Sequence, residues 1–212
     1  MTDTLEFWRN AAAEREFTTD FMADEFSARV PRTAAVLDVG CGYGRVLAEL
    51  RAMGYRRLTG IDVSEPLIRR GRSEHPDLDL RVQSRPGRLD FPDGSFDAVL
   101  LCAVLTCIPS DADQRRLISV IFRVMRRGAC FYCNDFLLNS DDRNMARYRA
   151  AQTEFANYGV FRLPEGAVLR HHSREYISGL FADFKPDFFR EVVYRTMNGH
   201  TSRGFCAIAT KH

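Results

Sequence analysis

The stretch Val36-Leu37-Asp38-Val39-Gly40-Cys41-Gly42-Tyr43-Gly44 decides the fold. It opens as a short apolar run, rich in β-branched residues and broken by one carboxylate, which reads as a fully buried strand. Three glycines at alternate positions follow, where a backbone turns sharply and comes close to something else. Val46-Leu47-Ala48-Glu49-Leu50 then reads as a helix. Strand, glycine turn and helix form the opening unit of a doubly wound α/β sheet, whose ligands lie across the carboxyl ends of the strands.

A glycine-rich turn alone is weak evidence, but this one has a partner. A second strand, Arg57-Leu58-Thr59-Gly60-Ile61, ends at Asp62, eighteen residues after Gly44. A carboxylate at that place can accept hydrogen bonds from both hydroxyls of a ribose. Helix capping is the other use for an acid there, and Ser64 serves it better.

At these residues the chain resembles the class I S-adenosylmethionine-dependent methyltransferases. VLDVGCGYG is similar to their first motif, and Gly60-Ile61-Asp62-Val63-Ser64 to their ribose-binding strand end. A nicotinamide dehydrogenase has two residues between its last glycines, whereas Gly42 and Gly44 have one, and its fingerprint does not require Asp38. The resemblance implies a seven-stranded Rossmann-like sheet closed by an antiparallel hairpin. It implies S-adenosyl-L-methionine as cofactor, S-adenosyl-L-homocysteine as product, and no metal. It carries over Asp38, Gly40, Cys41, Gly42, Gly44, Asp62, Val63 and Cys102 as cofactor-binding residues.

Composition agrees with a single domain of 212 residues. The hydrophobic share of 45% and charged share of 27% are ordinary for a globular protein. Apolar runs are far too short for a membrane span, and Met1-Thr2-Asp3-Thr4-Leu5-Glu6 lacks a basic-then-apolar leader. A cytoplasmic protein is expected. Six cysteines fall mostly inside apolar strand-like runs, which suits buried thiols better than a disulfide frame. Cys130 and Cys133 have CxxC spacing, but three positions along a strand point to opposite faces. A net charge of +2 argues against a nucleic-acid partner.

The chain divides into a helical cap (1–30), a cofactor-binding core (35–136), an inserted lid (140–172) and a closing helix and hairpin (173–212). Aromatics at 7, 8, 17, 21 and 26 predict a helix over residues 4–29. In similar methyltransferases such a helix covers the cofactor, which would turn Trp8, Arg9 and Arg15 toward the pocket; core packing and solvated surface are the plainer alternatives. Ser64 caps a helix from Leu67, and Leu78 to Val82 is a third strand. Many relatives place an acid near Arg85 to hold the adenine amino group; Gln83-Ser84-Arg85-Pro86-Gly87-Arg88 has none, so a backbone group is expected there. Ala98 to Cys102 is a fourth strand, and the apolar run after it lacks the Asp/Asn-Pro-Pro-aromatic sequence of nucleic-acid amino-methylating relatives. Ser110 and Asp113 resemble a capping pair for a helix over 112–126, ended by Gly128. Asn134 and Asp135 close the fifth strand.

The insertion is chemically uneven. Residues 143–174 hold six arginines and two glutamates, a local +4 within a chain of +2. Arginine forks match carboxylate and phosphonate oxygens. Arg143, Arg147, Tyr158, Arg162 and Arg170 are therefore the candidate acceptor-binding residues, set against the reading of a solvated arginine-rich face. A helix is expected from Asp141 to about Asn157, then a hairpin turning at Pro164-Glu165-Gly166. His171 and His172 are candidate catalytic bases for a hydroxyl acceptor, although adjacent strand residues face opposite ways. A carboxylate or phosphonate needs no base.

These residues together predict methyl transfer to oxygen or nitrogen of a small, anionic metabolite. An NAD(P)-dependent oxidoreductase and a non-catalytic cofactor-binding regulatory subunit are the alternatives. The expected partner is a small-molecule acceptor, with neither nucleic acid nor membrane, in a monomer or homodimer.

Overall fold

A computed structural model describes residues 6–9, 16–85, 87–197 and 199–212. A seven-stranded sheet forms the spine, with strands in the order β3-β2-β1-β4-β5-β9-β8. In chain order these are β1 (Ala35–Val39), β2 (Arg57–Asp62), β3 (Asp79–Val82), β4 (Phe96–Cys102), β5 (Met125–Phe136), β8 (Phe184–Arg195) and β9 (Thr201–Lys211). The first five run parallel, while β9 pairs antiparallel with both β5 and β8. A separate two-stranded hairpin, β6 (Val160–Arg162) and β7 (Val168–Arg170), lies in the insertion.

Every residue of β1 is buried, as a central parallel strand with helices on both faces must be. Alternation sorts its neighbours into two cores. Leu37, Val39, Val99, Leu101, Phe131 and Phe205 pack on one face with α4 (Asp111–Val124) and α6 (Arg174–Leu180). Val36, Leu100, Tyr132 and Ile208 pack on the other with Phe26, α2 (Arg45–Ala52) and α3 (Glu65–Glu74). Cys130 and Cys133 fall on opposite faces, and all six cysteines are free thiols. No helix among the described residues is long and apolar enough to cross a membrane.

The expected serine caps form at three helices, but at the insertion helix Asp141 takes the place expected of Ser140. Ser64, Ser110 and Ser173 each accept a backbone N–H three residues on, from Leu67, Asp113 and Tyr176. The insertion helix α5 (Asp142–Ala151) is capped by Asp141, which accepts from Asn144 N. It stops at Ala151, short of the expected Asn157, and Gly159 at φ +92° turns the chain into β6. The helix over 112–126 likewise ends earlier, at Val124, and β5 begins at Met125 by pairing with Phe96.

The amino-terminal expectation needs a larger correction. Of the described residues before β1, only 6–9 and α1 (Ala23–Ser27) are helical, and 16–22 form an irregular arm. Phe21 and Phe26 are buried against Tyr132 and Tyr55. Thr18 Oγ1 donates to the Arg195 carbonyl, and Asn134 Nδ2 to the Asp20 carbonyl. The aromatic spacing thus serves an arm laid along the strand ends, not a helix face. Arg15, Pro86 and Asn198 lie outside the described residues.

The insertion leaves and rejoins the sheet at a single point. Leu137 bridges His172, His172 N donates to the Phe136 carbonyl, and Leu138 N donates to the His172 carbonyl.

Candidate active site

The carboxyl ends of β1, β2, β4 and β5 open into a cavity of about 770 Å³. The glycine turn forms its floor. Gly40 N and Cys41 N both donate to the Ile61 carbonyl, tying the turn to β2. Gly40, Gly42 and Gly44 have φ of +76°, +57° and +84°, a region costly for side-chain-bearing residues. A Cβ on Gly42 would also collide with the Phe17 ring of the arm. Gly40 and Cys41 line the cavity, whereas Gly42 and Gly44 shape the turn behind it.

Two acids stand side by side there. Asp62 Oδ2 accepts from Gly42 N and Oδ1 from Ser64 N, each at 2.8 Å. These bonds aim the carboxylate, and each oxygen keeps acceptor capacity for a further donor. Burial raises its pKa. Asp38 is almost fully buried, and its Oδ1 has no hydrogen-bond partner. Burial, with Asp62 nearby, pushes its carboxyl up to about 7, against the pull of Arg45. An orphaned buried carboxylate oxygen beside a cavity is a site short of one cation or donor. Those residues fit S-adenosylmethionine: Asp38 would meet its ammonium, Asp62 its ribose hydroxyls, and the turn its close backbone approach. Val63 and Cys102 also line the cavity.

At the expected adenine end, Gln83 and Gly87 line the wall. Gln83 Nε2 donates to the Arg88 carbonyl at 3.0 Å, which fixes that loop without an acid.

The thiols of Cys102 and Cys107 line the cavity as well, and burial pushes both pKa values well above 9. They stay protonated and are poor nucleophiles.

The insertion covers the opposite wall, and its arginines divide. Arg143, Arg147 and Arg162 line the cavity. Arg162 is ion-paired with Glu154, and Arg143 lies 3.8 Å from Asp141. Arg170 is turned away: it is buried, ion-paired with Asp111, and 4.3 Å over the Tyr176 ring. Tyr158 is 40% exposed, does not line the cavity, and donates to Met145 Sδ. Arg147 remains. It stacks 3.7 Å over Phe161, its Nε is buried without a partner, and burial lowers its pKa. Among the described residues no carboxylate lies within ion-pairing distance of it.

The two histidines also part. His172 Nδ1–H donates to the Phe136 carbonyl at 3.3 Å, and Nε2 lies against Gln114 Nε2 at 2.8 Å. Both nitrogens serve the fold, the ring does not line the cavity, and burial lowers its pKa to about 3. The expectation of a base at His172 is therefore corrected. His171 lines the cavity, stacked on Phe136 at 5.4 Å. Sequence reading missed its supports, Tyr148 and Asn139, and the cavity-lining Thr106 with its unpartnered hydroxyl. Only Tyr148 had a signal, an aromatic on the buried side of the insertion helix.

Comparison with known proteins agrees with this geometry. A family model described as a methyltransferase domain matches residues 37–133. The chain is 31% identical over 139 residues to 27-O-demethylrifamycin SV methyltransferase of Amycolatopsis mediterranei, covering 62% of this chain and 50% of that protein. It is 31% identical over 159 residues to a ubiquinone biosynthesis O-methyltransferase of Xanthomonas oryzae pv. oryzae, covering 73% and 61%. The chain thus spans about half the length of the first and less than two thirds of the second. A crystal structure of a SAM-dependent methyltransferase from Methanosarcina mazei superposes with a TM-score of 0.85 at 28% identity, over 91% of this chain and 99% of that one. By its first motif, its sheet and these matches, the chain belongs to the class I S-adenosylmethionine-dependent methyltransferase family.

Proposed function

We propose that the protein methylates an oxygen, or a nitrogen, of a small anionic acceptor bound under the insertion. When bound, S-adenosylmethionine supplies a methyl group on a sulfonium; the acceptor's lone pair takes the methyl as the carbon–sulfur bond breaks, and that pair stays on sulfur in a neutral thioether. The donor is already activated, so the protein's task is alignment and the exclusion of water. Asp38 and Asp62 hold the two ends of the cofactor's polar frame. Val104, Ile108, Phe136 and Phe161 supply apolar walls. Arg147 positions the acceptor's negative charge, and Arg143 stands one helical turn away on the same face.

The observation that carries this reading is Arg147: a cation at the cavity wall, stacked on Phe161 and, among the described residues, without a carboxylate partner. Half-buried, this guanidinium is left to pair with an anion of the acceptor. The protonated state of Cys102 and Cys107 favours direct transfer over a cysteine-linked path.

The test is methyl transfer across a panel of carboxylates, phosphonates, phenols and amines, followed by Arg147→Ala. Expected is turnover of anionic members, with KM for the acceptor raised ~10- to 100-fold in Arg147→Ala and affinity for S-adenosylhomocysteine unchanged. Preference for neutral or cationic acceptors, or normal KM in the variant, would refute it. S-adenosylmethionine binding without turnover of any acceptor would favour the regulatory-subunit alternative, and NAD binding in its place the oxidoreductase.

A further inference from the structure

His171 entered the argument as a candidate base. Its surroundings say otherwise. Two groups approach Nδ1, the Tyr148 hydroxyl at 2.6 Å and Asn139 Nδ2 at 3.4 Å. The orientation of the Asn139 amide is fixed by its other bonds: Oδ1 accepts from Arg203 N at 2.7 Å, and Nδ2 donates to the Leu137 carbonyl at 2.7 Å. Its two amide hydrogens go to that carbonyl and to Ser202 Oγ at 3.1 Å, which leaves none for the ring. The Tyr148 oxygen accepts from Asn139 N at 3.3 Å, and among the described residues Nδ1 is the acceptor within reach of its hydroxyl proton. That hydroxyl proton therefore points to the imidazole. With the Tyr148 hydroxyl donating to it, Nδ1 has no proton of its own, and a neutral imidazole then carries its hydrogen on Nε2.

We infer that His171 is a locked hydrogen-bond donor, presenting Nε2–H to an oxyanion of the acceptor beside Arg147, with Tyr148 as its positioning residue. This rests on the anionic-acceptor reading above. An acceptor that arrives as an oxyanion loses no proton on methylation, so the site needs a donor and a cation but no base. A neutral donor also suits a second place beside Arg147, where a second cation would be repelled. The charged and titratable groups around His171 are Arg147, Arg143, His172 and Tyr148, and its burial adds to the effect of the arginines in keeping the ring neutral. Phe136 and Phe161 close the rest of its surroundings.

The test has a spectroscopic arm and a kinetic arm. Full-length protein labelled with 15N in histidine and arginine, saturated with S-adenosylhomocysteine, is followed by long-range 1H–15N correlation, with His171→Gln assigning the ring. Expected is a bare Nδ1 and a protonated Nε2 for His171 throughout pH 5.5 to 8. A proton on Nδ1, or titration within that range, overturns the inference. Benzoate is then added as the anionic probe. Expected is movement of both the His171 Nε2–H and the Arg147 Nε–H signals. Movement at Arg147 alone overturns this inference and leaves the anionic-acceptor reading standing; movement at neither overturns both.

In the kinetic arm, cofactor is saturating and kcat/KM for a carboxylate acceptor is measured against pH. His171→Ala is expected to lower the profile ~10- to 100-fold without changing its shape, and His171→Gln, which keeps an N–H near the same place, to recover part of the loss. Tyr148→Phe removes the strongest constraint on the tautomer and is expected to let Nδ1 take up a proton in the spectrum. Loss of an acid limb near neutrality in His171→Ala, with no recovery in His171→Gln, would make the ring a base and sink the proposal.

Discussion

Replacing Asp38 by Asn isolates the electrostatic half of cofactor recognition. In the free protein the Asp38 carboxyl is pushed up to about 7, chiefly by burial. An ammonium placed against its unpartnered Oδ1 would return it toward the ordinary value of ~3.9. Binding must then expel the proton. At pH 5.5 roughly 97% of free molecules carry that proton, and at pH 7 about half. The apparent Kd for S-adenosylhomocysteine should therefore rise ~16-fold from pH 7 to pH 5.5, equivalent to ~1.6 kcal/mol. The ligand's α-amino group, with a pKa of ~7.7–8.0, stays largely charged across this window and contributes little. Calorimetry in two buffers of different ionisation enthalpy reads proton release directly, with ~1 proton expected at pH 5.5 and ~0.5 at pH 7. Asp38→Asn should bind more weakly at pH 7 and show neither effect. A flat Kd with no proton release in the native protein refutes the reasoning. Retention of both effects in Asp38→Asn would move the titrating group to Asp62.

Three further outcomes follow from geometry. His172 has its folded-state pKa depressed to about 3, so its contribution is full above the unfolded value of ~6.5 and is lost as pH falls; the destabilisation caused by His172→Gln, measured by urea unfolding, should be ~2 kcal/mol smaller at pH 5 than at pH 7. Arg170→Met removes the Asp111 ion pair, the bond to the Pro109 carbonyl and the stacking on Tyr176; because Asp111 is partly open to water, the expected loss in urea unfolding is ~1–3 kcal/mol, with acceptor KM unchanged. Gly42→Ala forces a side chain to φ +57° and into the Phe17 ring; the backbone cost of ~1–2 kcal/mol should appear as ~10-fold weaker S-adenosylhomocysteine binding in a protein whose circular dichroism is native, and unchanged affinity would show the turn has no such role.

The cofactor half of the molecule was legible because its constraints are local. A buried parallel strand, three glycines that must take positive φ, and an acid at the next strand end all lie within 27 residues of one another, from Val36 to Asp62. The acceptor half was not, because its decisive facts are long-range. Whether an arginine faces a ligand depends on which carboxylate already holds it. Arg170 and Asp111 are 59 positions apart, and nothing between them announces the pair. The same applies to the histidines. Alternation tells that His171 and His172 face opposite ways, but only the positions of Tyr148, Asn139 and Gln114 tell which faces the cavity and which nitrogen carries the proton. The amino-terminal arm misled because Phe17, Phe21 and Phe26 are spaced nearly as a helix spaces them. An irregular strap over an aromatic floor can bury the same residues at that spacing.

The bridge between Leu137 and His172 brings the two ends of the intervening segment together on the frame itself. The sheet therefore bears the entropy of closing that loop, whatever the loop contains. For a flexible segment, doubling its length adds only ~0.6 kcal/mol to closure. Residues 138–171 thus hang from the sheet by their two ends, with side-chain ties such as Arg170 to Asp111 fixing how the segment lies, so that a change of length within it costs the frame little.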